Sequence, residues 1–87
     1  MTKKIWKIWV DAGHGGSDPG AVGANGLLEK SINLEVAREL VSLLFGKGYR
    51  VGATRLADEY MSLSERCRRA NAFQADVFVS IHCNAAD

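Results

Sequence analysis

The 87 residues contain no apolar run long enough to span a membrane, which excludes a transmembrane helix. Neither sign of charge dominates: 11 Lys and Arg stand against 10 Asp and Glu, for a formal charge of +1. Phosphate backbones and anionic lipid are held by concentrated positive charge, so neither a nucleic acid nor a membrane is expected as a partner. There are only two cysteines, Cys67 and Cys83, and neither lies in a C-x-x-C. No disulfide framework follows, and both are expected as reduced, partly buried thiols. Internal repeats, low-complexity tracts and linker-like stretches are absent. The start carries Lys3, Lys4 and Lys7, but only Ile8-Trp9-Val10 follow before Asp11, and no small-residue cleavage site appears. No signal peptide is expected, which points to synthesis in the cytoplasm.

What is present describes one small globular domain. The hydrophobic share is 47% and the charged share 24%, too apolar and too balanced for a disordered chain. The pattern alternates strand and helix. Lys4 to Val10 is rich in β-branched and aromatic residues and reads as a strand. A loop from Asp11 to Gly26 follows, holding six of the nine glycines and the only proline, Pro19. From about Leu28 to Phe45 the period turns helical, with Ile32, Val36, Leu40 and Leu43 or Leu44 as the apolar stripe and Gly46 and Gly48 as the stop. Tyr49 to Thr54 is a second strand. Ser62-Leu63-Ser64-Glu65 matches a capping box and starts a helix that runs to about Phe73. Val77 to Ile81 is a third strand, apolar enough to be buried on both faces. This β-α-β-α-β order predicts an α/β fold with parallel strands, right-handed crossovers and helices packed on the sheet.

In such sheets ligands gather beyond the carboxyl ends of the strands. His14 lies in the glycine loop after the first strand, His82 directly follows the third, and Glu29 opens the first helix. Two imidazoles and one carboxylate are the donor set of an open zinc site, with a position left for water. Each residue also has a plainer role. His14 could serve an unusual backbone conformation, Glu29 could complement the helix dipole, and His82 could bond a backbone carbonyl. The glycine loop is no nucleotide cradle: Gly13-His14-Gly15-Gly16-Ser17-Asp18 puts Asp where G-x-G-x-x-G needs Gly, and no GxxxxGK[ST] exists.

Asp11-Ala12-Gly13-His14-Gly15-Gly16, Asp18-Pro19-Gly20-Ala21, Gly26-Leu27-Leu28-Glu29-Lys30 and Asn33-Leu34 resemble zinc-dependent N-acetylmuramoyl-L-alanine amidases. So do Thr54-Arg55, Ser62-Leu63-Ser64-Glu65-Arg66, Ala70-Asn71, Ala75-Asp76 and Ser80-Ile81-His82-Cys83-Asn84-Ala85. The resemblance spans nearly the whole chain. It implies the N-terminal half of a mostly parallel-sheet α/β/α catalytic domain, with Zn2+ held by His14, Glu29 and His82. It also implies a substrate: the amide between N-acetylmuramic acid and L-alanine of the peptidoglycan stem peptide. Cys83 departs from the family pattern. Strand alternation would turn its sulfur away from the neighbouring ligand, so it is not expected to bind the metal.

Family domains are roughly twice as long, and the resemblance puts their catalytic glutamate in the later half. The acids at hand look otherwise engaged: Glu35 and Glu39 on the solvent face of a helix, Glu59 in a connection, Glu65 in the capping box. The expectation is a site with its metal ligands present and its general base on a segment after Asp87. The absence of a leader fits an endolysin or another lysin that reaches the wall on release. The alternative is a non-catalytic fragment that binds zinc or assembles with other chains. Three strands and two helices are also expected to leave a sheet edge unpaired and an apolar face uncovered, which favours self-association.

Overall fold

The computed structural model describes residues 4–83. Five elements follow in the expected order: β1 Lys7–Ala12, α1 Glu29–Gly46, β2 Arg50–Ala53, α2 Leu63–Phe73 and β3 Val77–Ile81. The strands form one parallel sheet in the order β2-β1-β3. β1 is therefore central, and its C-terminal end carries the glycine loop. No helix of the described residues is long and apolar enough to cross a membrane. The motif residues Asn84 and Ala85 lie outside the described residues.

The first strand sits further along the chain than its composition suggests. Asp11 and Ala12 belong to it, paired with Ser80 and Ile81, while Lys4 to Trp6 precede it. Pairing with β3 carries β1 past Val10, and Asp11 is tolerated there because hydrogen bonds satisfy its buried carboxylate.

Ile8, Val10, Ala12 and Ala37 form the core, with Leu40, Val41, Leu44, Val51, Val79 and Ile81 packed around them. The buried stripe of α1 begins with Glu29, Asn33 and Ala37. This differs from the expected stripe: Val36 is 45% and Leu43 57% exposed. The helix is rotated because its first two buried positions are polar, and hydrophobic periodicity counts polar residues as outward-facing. α1 ends as expected, with the amide of Lys47 on the carbonyls of Leu43 and Leu44 and Gly48 at φ +93°.

Ser62 caps α2 by accepting the backbone N–H of Glu65 at 3.2 Å. The reciprocal half of the capping box is not formed. The Glu65 carboxylate turns instead to Arg68 and Arg69, three and four residues on. Cys67 is exposed rather than partly buried.

β3 also corrects the expectation of a strand buried on both faces. It lies at an edge of the sheet, with Val77 41% and Phe78 44% exposed. Among the described residues no further strand or helix covers it. Both β2 and β3 are edges here, one more than anticipated.

Candidate metal centre

The loop from Gly13 to Leu28 is built back onto the start of α1. No side chain caps this helix, and its first amides find loop carbonyls instead. The N–H of Glu29 bonds Ala21 O at 2.9 Å, and that of Lys30 bonds Pro19 O at 3.1 Å. Ala21 answers by donating its own N–H to Glu29 Oε1 at 3.0 Å. The loop thereby brings His14, at the end of β1, over Glu29, at the head of α1. Gly13 N–H bonds Ile81 O at 3.0 Å, which sets His82 beside the same point.

His14, Glu29 and His82 each offer one donor atom, and the three atoms lie within 4.8 Å of one another. Glu29 Oε2 lies 3.2 Å from His14 Nε2 and 3.3 Å from His82 Nδ1. The imidazoles meet edge to face, with ring centroids 5.1 Å apart. His14 itself has φ +65°, a left-handed conformation uncommon outside glycine. The plainer role considered for that residue, an unusual backbone conformation, is thus present beside its place in the donor cluster.

The electrostatics suit a cation. Burial of Glu29 acts to raise its pKa. Hydrogen bonds from the Ala21 and Cys83 amides and from Asn33, with the nearby His14, outweigh this and lower it to about 2. Asp18 Oδ2 lies 2.9 Å from His14 Nδ1, leaving Nε2 turned toward Glu29. A carboxylate behind a ligating imidazole is the usual means of fixing its tautomer and aim. Two imidazoles and an ionised carboxylate form a donor set that fits a zinc-like divalent ion. Cys83 is not among the donors. Its N–H bonds Glu29 Oε2 at 3.0 Å, and its sulfur points to Asn33 Oδ1 at 3.5 Å. The strand alternation invoked for Cys83 does not reach it, because Cys83 lies past the end of β3.

Several supporting residues stand in the motifs, but spacing alone assigns them no role. Asn33 is 0% exposed. Its amide donates to Glu29 Oε2 and to Gly13 O, both at 3.1 Å. Arg66 reaches from α2 to Asp11 Oδ1 at 2.9 Å, Ala12 O at 2.7 Å, His14 O at 2.8 Å and Met61 O at 2.8 Å. Arg55 bonds Ala12 O, Gly13 O and Lys30 O at 2.9–3.1 Å. Two buried guanidinium groups therefore grip the backbone on either side of the turn that carries His14. Asp11 also accepts from Thr54 at 2.7 Å and Ser80 at 2.9 Å. Burial tends to raise its pKa, but these bonds and Arg66 hold it below the usual carboxylate range. Lys30 and Asp58 close the far side of the loop on Gly16. One usable sequence signal existed for Asn33: it lies four residues after Glu29, on the same helix face.

Beside the three donors opens a cleft of about 360 Å³. Asp11, Asp18, Tyr60, Arg66 and Phe78 line it together with the two histidines. Among the described residues its acids are Asp11 and Asp18, both already hydrogen-bonded. Glu35, Glu39, Glu59 and Glu65 do not line it.

The fold and site define a parallel α/β protein with a three-donor, metal-competent cluster at the carboxyl edge of its sheet. A family model described as N-acetylmuramoyl-L-alanine amidase matches residues 8–87, and the chain belongs to that family. Among relatives, the sporulation-specific N-acetylmuramoyl-L-alanine amidase of Bacillus subtilis is 47% identical over 81 residues, covering 91% of this chain and 31% of that protein. The endolysin of Bacillus phage SPP1 is 48% identical over 80 residues, covering 90% of this chain and 29% of the phage protein. Among solved structures, the amidase AmiC2 of Nostoc punctiforme superposes with a TM-score of 0.91 at 39% identity, over 94% of this chain and 46% of that one. An N-acetylmuramoyl-L-alanine amidase from Clostridium difficile 630 gives 0.92 at 38% identity, over 98% and 47%. The chain spans between about a sixth and just over a third of the length of these and other curated relatives it matches.

Proposed function

We propose that this chain is the metal-binding, N-terminal part of a catalytic domain that hydrolyses the amide between N-acetylmuramic acid and L-alanine in peptidoglycan. Zn2+ is held by His14, Glu29 and His82. The observation that carries this reading is the meeting of those three donors within 4.8 Å in a member of the amidase family. Zinc bound there supplies a Lewis acid, which acidifies water and polarises a carbonyl. The protein's own part is to aim the donors. Asp18 holds His14 by Nδ1. The Ala21 and Cys83 amides and Asn33 keep Glu29 ionised. Arg55 and Arg66 fix the backbone between β1 and the loop.

Cleavage of an amide also needs a group that carries a proton to the leaving nitrogen. Asp11 and Asp18 are both committed to structural bonds. By the resemblance to the amidase family, that role falls to a glutamate of the later half of the catalytic domain. The relatives include a phage endolysin and a sporulation amidase, so either setting suits the domain.

The test is release of L-alanine-terminated peptide from muramoyl-peptide by the full-length protein, with metal content measured in parallel. Loss of both zinc and turnover in His14→Ala and His82→Ala supports the reading, and zinc unchanged in both refutes it. The bare edges of β2 and β3 and the exposed Val77 and Phe78 support a further property, self-association of residues 1–87 expressed alone. A cooperative monomer by light scattering contradicts that.

A further inference from the structure

The Asn33 side chain touches all three segments that carry the proposed ligands. It lies on α1 one turn after Glu29 and is 0% exposed. Its Nδ2 donates one hydrogen to Glu29 Oε2 at 3.1 Å and the other to Gly13 O at 3.1 Å. Gly13 directly precedes His14. Its Oδ1 faces the thiol of Cys83 at 3.5 Å, and Cys83 directly follows His82. The orientation of the amide is determined by these partners. Turned over, it would set its oxygen against a carbonyl and a carboxylate, both of which only accept.

The three segments are far apart in sequence and come from the end of β1, the start of α1 and the end of β3. A fully buried polar group is retained only with its partners in place. Asn33 therefore links the three backbones to one another in the absence of any ion. Resting on the ligand assignment proposed above, we propose that Asn33 is a positioning residue that pre-assembles the zinc site. It fixes Glu29 directly, and His14 and His82 through the residues beside them. Without it, the ion must itself gather three loosely held donors, so affinity falls. Groups behind metal ligands commonly contribute about 10–100-fold to affinity.

The experiment measures zinc dissociation constants by chelator competition in the full-length protein. It compares wild type with Asn33→Asp, Asn33→Leu, Ala37→Gly and His14→Ala. Asn33→Asp keeps the shape but puts an acceptor against Glu29 and Gly13 O. Asn33→Leu removes all three bonds. Ala37 is 0% exposed on the same helix but bonds none of the ligands, so Ala37→Gly loosens the helix alone. The expected result is zinc bound about 10–100-fold more weakly by both Asn33 variants and at the wild-type level by Ala37→Gly.

Wild-type affinity in the Asn33 variants overturns the proposal while leaving the ligand assignment standing. Equal weakening in Ala37→Gly also overturns it, since the loss would then follow helix stability. If His14→Ala keeps its zinc, the ligand assignment itself fails. Should Asn33→Leu not fold, Asn33→Asp carries the comparison.

Discussion

Arg66→Met should be among the most destabilising single changes in this chain, and the structure sets its scale. Arg66 is 5% exposed, and its guanidinium spans four acceptors: the carboxylate of Asp11 and the carbonyls of Met61, Ala12 and His14. Ala12 O keeps a second donor in Arg55, so its loss is partial. A charged hydrogen bond contributes about 1.5–3 kcal/mol and each orphaned carbonyl about 1 kcal/mol. The total, about 3–5 kcal/mol, agrees with the usual cost of breaking a buried ion pair from one side. Native proteins have about 5–15 kcal/mol of stability in all, so the variant loses a large share of it. Arg66→Lys should recover little, because an ammonium group cannot reproduce a planar fork across four acceptors. Adding Asp11→Asn to Arg66→Met should cost less than the two single changes together, since each alone leaves a buried partner stranded. Urea unfolding of the metal-free full-length protein measures all four. A loss below about 1 kcal/mol for Arg66→Met, or strict additivity with Asp11→Asn, would refute the clamp.

Other consequences are sharper in the site. Asp18→Ala should weaken zinc binding while leaving metal-free stability nearly unchanged, as read by chelator competition beside thermal unfolding, because its carboxylate is half exposed and supports His14. Gly20→Ala should impair metal binding and Gly26→Ala should not. Both glycines have positive φ, but a Cβ on Gly20 would meet His14 Cδ2 at 2.6 Å and Glu29 Oε1 at 2.7 Å, whereas one on Gly26 meets nothing within 4 Å. Metal-free stability should also depend on acid in a defined direction. The Glu29 pKa falls from 4.5 unfolded to about 2 folded, so its contribution is complete above 4.5 and is lost as pH drops from there through 2. Glu29→Gln should flatten that part of the pH–stability curve, and an unchanged acid limb would contradict the assignment.

The order of elements and the three clustered donors were legible because their signals are local. Glycines follow β1, Ser62 opens α2, and His14, Glu29 and His82 stand at element ends where donors collect. The support beneath them was hidden for a physical reason. Asp11, Asn33, Thr54, Arg55 and Arg66 are polar yet buried, and pattern reasoning assigns polar residues to the surface. That same blindness rotated the expected stripe of α1 toward Val36 and kept Asp11 out of β1. The capping box of α2 was half misread because Arg68 and Arg69 compete for Glu65, an outcome that spacing alone does not rank. β3 reads as buried from its residues, but burial depends on what surrounds a strand, and the described residues leave it at an edge.

The proposed metal centre requires His14, Glu29 and His82 to share one zinc ion. A crystal structure of the zinc-loaded full-length protein, with an anomalous map at the zinc edge, tests it most directly. One strong peak is expected about 2.0–2.2 Å from an imidazole nitrogen of each histidine and from a Glu29 oxygen. A peak bound elsewhere, or one from which any of the three side chains is turned away, would contradict it.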